Sequence, residues 1–68
     1  MKVTIQLNGE AYSIEAGLHL ETLLERLALR PARIAVELNQ QVVRKADYPN
    51  TVLRQGDQVE IINFVGGG

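Results

Sequence analysis

The sequence predicts an α+β domain, one helix packed on a mixed sheet of four to five strands, with the elements in the order ββαβββ. Three observations carry this. Residues 2–15 alternate apolar and polar on both sides of an Asn8-Gly9 pair. Leu20, Leu23, Leu24 and Leu27 recur at helical spacing. Short runs rich in β-formers, separated by turn residues, fill the remainder.

Each element follows from its residues. Val3, Ile5 and Leu7 alternate with Lys2, Thr4 and Gln6, the period of a half-buried strand. Asn8-Gly9 is a strong two-residue hairpin signal, because both turn positions want positive φ. Tyr12 and Ile14 continue the alternation, and Tyr12 reads as a packing residue. After Gly17, the leucine stripe marks a helix over about 20–29, with Glu21 near its start and Arg26 and Arg30 near its end, a distribution that suits the helix dipole. Pro31 cannot continue the helix. Ile34–Leu38 reads as a strand ended by Asn39-Gln40, and Val42-Val43-Arg44 as another. Residues 45–53 read as a loop with room for one helical turn, anchored by Val52 and Leu53. Gln55-Gly56-Asp57 is a turn, with Asp57 bonding nearby amides. In the last strand Val59, Ile61 and Asn63 share one face, while Glu60, Ile62 and Phe64 share the other.

One amphipathic helix needs a sheet to cover its apolar stripe. A β-grasp (ubiquitin-like) arrangement satisfies the order. Its last strand, apolar on both faces, takes a central place, parallel to the first strand.

The composition excludes much. A chain of 68 residues implies a single domain over 1–68 with a thin core, too thin to enclose a deep substrate cavity. There is no cysteine, which removes thiolate nucleophiles, disulfides and Cys-based metal sites. A secreted domain this small usually carries disulfides, so the expected location is cytoplasmic. No apolar run nears the ~20 residues of a membrane span, and the opening residues hold no signal-peptide core. Net charge is −1 with dispersed basic residues, so no nucleic-acid surface is expected. His19 is the only histidine and stands at the expected helix start, so neither a metal site nor a triad with Ser13 or Thr22 is expected. Gly9 serves the hairpin and is no phosphate cradle. The chain is expected to be no enzyme and to hold no cofactor.

The unusual feature is the ending Gly66-Gly67-Gly68. Terminal glycines often have no role. Directly after a strand, however, a tail over 65–68 without side chains can thread a narrow channel in a partner's active site. Fully extended, it reaches roughly 13 Å. Its chemical asset is the α-carboxylate of Gly68, whose pKa of about 3.3–3.7 keeps it anionic at neutral pH. Ile62, Phe64 and Val65, apolar and close to the tail, form a candidate docking surface.

These residues resemble the ThiS family of sulfur carriers. The resemblance spans the chain. It rests on Leu7-Asn8-Gly9-Glu10, Leu23-Leu24, Ala35-Val36-Glu37-Leu38-Asn39, Gly56-Asp57-Gln58-Val59-Glu60-Ile61 and Phe64-Val65-Gly66-Gly67-Gly68. His19 departs from the Ser or Thr that often caps the helix in this family, and Arg44 from a frequent proline. The resemblance implies that a ThiF-like adenylyltransferase uses ATP and Mg to adenylate Gly68. Sulfur from a cysteine desulfurase persulfide then gives a thiocarboxylate, which ThiG, thiazole synthase, consumes in thiamine biosynthesis. Gly67 and Gly68 match the family's terminal pair, and Gly66 an extra glycine of some members. Two relatives in chemistry are the alternatives: a MoaD-like molybdopterin-synthase small subunit, and a ubiquitin-like protein modifier.

Overall fold

The computed structural model describes residues 1–64; the expectations for Val65, Gly66, Gly67 and Gly68 lie outside the described residues. Strands β1 (Lys2–Leu7) and β2 (Glu10–Glu15) pair antiparallel, from Lys2 opposite Glu15 to Leu7 opposite Glu10. Asn8 and Gly9 turn the hairpin at φ of 50° and 84°, the left-handed pair that matches strand twist. Tyr12 lies opposite Ile5 but remains 36% exposed, because β2 is an edge strand. Its packing role is therefore only partial.

Helix α1 spans Leu20–Arg26, shorter than the 20–29 that the leucine spacing predicts. Ala28 turns left-handed at φ 58°. Its N–H donates to the Glu25 carbonyl at 3.0 Å, and the Leu29 N–H donates to the Leu24 carbonyl at 3.0 Å. This pair of bonds is a Schellman stop, formed here with alanine where glycine is usual. Arg30 thus lies beyond the helix, before a 3₁₀ turn over Pro31–Arg33. At the other end, His19 is the N-cap but its side chain caps nothing. Instead the Leu20 N–H donates to the Thr51 carbonyl at 2.7 Å, and the Leu53 N–H to the Leu18 carbonyl at 2.9 Å.

Strands β3 (Ile34–Leu38) and β4 (Gln41–Val43) form a second hairpin, turned by Asn39 and Gln40 at φ of 52° and 72°. Lys45–Asn50 then winds as a 3₁₀ helix, longer than the single turn anticipated, and drives Tyr48 into the core. Strand β5 covers Gln58–Asn63. The sheet order is β2-β1-β5-β3-β4, with β5 central, parallel to β1 and antiparallel to β3. Ile5, Ile14, Ile34, Val36 and Val59 from one sheet face meet Leu20, Leu23 and Leu24 of α1, all fully buried, with Leu53 closing the core. Each such side chain contributes about 1.5–3 kcal/mol by burial. This is the β-grasp architecture.

Candidate functional site

The site is built around the end of β5, the strand that leads into the glycine tail. Its entry is pinned by side chains. The Asp57 carboxylate accepts from the Arg54 N–H at 2.9 Å through Oδ2, and from Asn39 Nδ2 at 3.1 Å through Oδ1. Asn39 Oδ1 accepts from the Gln58 N–H at 2.9 Å, while the Asn39 N–H donates to the Gln58 carbonyl at 2.8 Å. Asp57 therefore bonds nearby amides, as its place in the turn suggests, and also ties the β3–β4 turn to the start of β5.

Along β5 the two sides differ. Toward β3 the ladder runs unbroken from Leu38 opposite Val59 to Ile34 opposite Asn63, and the Phe64 N–H still donates to the Arg33 carbonyl at 2.8 Å. Toward β1 the last register pair is Leu7 with Val59. There the Asn8 N–H donates to the Val59 carbonyl at 2.9 Å, and Asn8 Oδ1 accepts from the Ile61 N–H at 2.7 Å. Asn8 thus extends the parallel pairing by one bond after β1 has turned away. Sequence reasoning gave Asn8 only its turn role, since its second partner lies 53 residues on.

Ile62 and Phe64 point to the sheet face away from α1, and both are half exposed, at 50% and 55%. Ala35 lies opposite Ile62, and Val42, 72% exposed, lies opposite Glu37. Glu37 in turn faces Glu60. The ion pairs among the described residues, Lys2–Glu15 at 3.9 Å and Arg26–Glu15 at 2.8 Å, involve neither carboxylate. Beside the root of the tail the outer sheet face therefore combines exposed apolar side chains with a cross-strand acidic pair. Of the three predicted docking residues, Ile62 and Phe64 come together here, and Val65 is outside the described residues.

Among the described residues no three His, Asp or Glu gather into a metal-binding group, and His19 is exposed. One depression among the described residues, about 350 Å³, is an open groove lined by Leu38, Val42, Val43, Asp47 and Thr51 among others. No residue of β5 lines it. Burial pushes the Tyr48 hydroxyl above the usual tyrosine range through desolvation. No helix among the described residues is long and apolar enough to cross a membrane. This set of side chains offers recognition and positioning.

Comparison with known proteins identifies the family. The model of the ThiS family matches residues 5–68. The thiazole synthase of Magnetococcus marinus is 47% identical over 64 residues, which cover 94% of this chain and 20% of that protein. The chain thus spans about a fifth of the length of that relative, and likewise of the thiazole synthase of Paramagnetospirillum magneticum, 38% identical. The sulfur carrier protein ThiS of Escherichia coli is 33% identical over 64 residues, covering 94% of this chain and 97% of that one. The crystal structure of the thiamine biosynthesis protein ThiS from Geobacter metallireducens superimposes with a TM-score of 0.83 at 29% identity, covering 97% of this chain and 100% of that one.

Proposed function

The chain belongs to the ThiS family, and we propose that it carries sulfur for thiazole formation in thiamine biosynthesis, as a substrate of partner enzymes. The observation that supports this is the placement of β5. It is the central strand, bonded on one side through Phe64 and on the other through Ile61, and the four residues that follow begin beside exposed Ile62 and Phe64. Phe64, which precedes the tail in sequence, is thereby held at the middle of the sheet.

The chemistry divides between the proteins. A carboxylate accepts sulfur poorly because its leaving group would be oxide. A Gly68 carboxylate oxygen attacks the α-phosphorus of ATP on a ThiF-like adenylyltransferase, and pyrophosphate leaves. The acyl carbon then carries AMP, a good leaving group. The terminal sulfur of a persulfide, formed by a cysteine desulfurase, attacks that carbon and AMP departs. A thiol reduces the remaining S–S bond and frees the thiocarboxylate, which ThiG consumes. The charges that stabilise the phosphoryl transition state, Mg included, belong to the partner. This chain supplies the nucleophile, its reach and the docking face. Gly66, Gly67 and Gly68 present no Cβ to a narrow channel.

The test is deletion of Gly67 and Gly68. The truncated chain is expected to unfold at the parent temperature yet leave a strain lacking the carrier unable to grow without thiamine. Growth of that strain would overturn the proposal.

A further inference from the structure

We propose that the open side of β5, from Ile61 to Phe64, receives an extended segment of the adenylating partner by strand addition. The inference rests on the sulfur-carrier function proposed above and names how the partner holds the root of the tail.

In β5 the even residues direct their N–H and C=O toward β3, as the bonds at Gln58 and Phe64 show. The odd residues direct theirs toward β1. Asn8 satisfies the Val59 carbonyl and the Ile61 N–H. Next in line are the Ile61 carbonyl and the N–H and carbonyl of Asn63. At that height β1 has already turned into its hairpin, because its last parallel pair is Leu7 with Val59. No described residue bonds these three groups. Among the described residues, the strand at the centre of the sheet therefore ends with one side unpaired.

Bare strand edges invite pairing, and proteins usually blunt them with proline, lysine or a bulge. Ile61-Ile62-Asn63-Phe64 carries none of these. An added strand would lie beside β5, beyond the hairpin turn. Because side chains alternate along it, every second one would meet the exposed Ile62 and Phe64 on the outer face. Three backbone groups are too few to hold two copies of this chain together, since a stable interface buries about 1,200 Å² or more. They suit a partner that also grips the tail, where each bond adds to an existing contact.

The test exploits an asymmetry. Asn63→Pro removes an N–H that no described residue uses, a position where proline is tolerated in strands. Asn63→Ala keeps it. Both are compared with the parent chain in pyrophosphate release by a ThiF-like adenylyltransferase with ATP and magnesium. The expected result is a KM for Asn63→Ala within about twofold of the parent, against a rise of about five- to tenfold for Asn63→Pro, the cost of one lost bond, with kcat and the unfolding temperature unchanged. Equal KM values for the two variants would overturn the inference while leaving the functional proposal standing. If Asn63→Pro unfolds earlier, a synthetic chain with an ester in place of the Ile62–Asn63 amide reads the same N–H, and a parental KM there overturns the inference too. A parent dimer that dissociates on Asn63→Pro would assign the edge to a second copy and also overturn it. No pyrophosphate release from the parent chain would overturn the functional proposal, and this inference with it.

Discussion

Replacing Asn8 by glycine separates the two tasks of that side chain. Glycine adopts the left-handed φ of 50° without strain, so the hairpin turn survives. What disappears is the 2.7 Å bond from the Ile61 N–H to Oδ1. A neutral bond of this kind contributes about 0.5–1.5 kcal/mol net, and glycine adds a few tenths in backbone entropy. The expected loss is therefore about 1 kcal/mol, which for a domain of this size lowers Tm by about 4–8 °C. Asn8→Asp keeps both the acceptor and the tolerance for positive φ, and is expected to stay near the parent. Thermal unfolding followed by circular dichroism gives the Tm values, and amide exchange at Ile61 reads the bond itself. Exchange at Ile61 should accelerate in Asn8→Gly alone. The reasoning is refuted if Asn8→Gly unfolds at the parental temperature with Ile61 exchange unchanged, or if Asn8→Asp falls as far.

Two further outcomes follow from the fold. Ala28→Gly relieves a left-handed alanine at φ 58° while keeping the Schellman bonds, so it should stabilise by about 1 kcal/mol and raise Tm, read by thermal unfolding. Tyr48 titrates higher when folded than the ~10 of an unfolded tyrosine, because burial disfavours the phenolate. Above that pH the unfolded chain binds fewer protons than the native one. The contribution is thus complete below about pH 10 and is lost as pH rises through the folded value. Tm measured from about pH 9 to 11 should fall more steeply in the parent than in Tyr48→Phe.

The strands were legible because alternation and turn chemistry act within a few residues: Lys2–Leu7, Asn8-Gly9 and Ile34–Leu38 read from their own neighbours. The central place of β5 followed from its apolar residues on both faces. The helix end did not follow, because an alanine takes the left-handed position where glycine would have announced a stop. Tyr48 was hidden because a 3₁₀ turn of Lys45–Asn50 leaves no helical periodicity to read. In the site, alternation along the last strand already put Ile62 and Phe64 on one face, where both are exposed. The bond from Ile61 to Asn8 and the network of Asp57 with Asn39 were illegible, since each joins residues far apart in sequence that only the folded sheet brings together.

Everything proposed for this chain depends on what happens to one terminal oxygen. Intact-mass measurement after incubation with a ThiF-like adenylyltransferase, ATP, magnesium, a cysteine desulfurase with cysteine, and a thiol reads that directly. The account predicts a product heavier than the parent by one sulfur less one oxygen, with the change confined to the last residue on fragmentation. An unchanged mass beside a fully converted Escherichia coli ThiS control, or adducts the size of whole proteins, would contradict it.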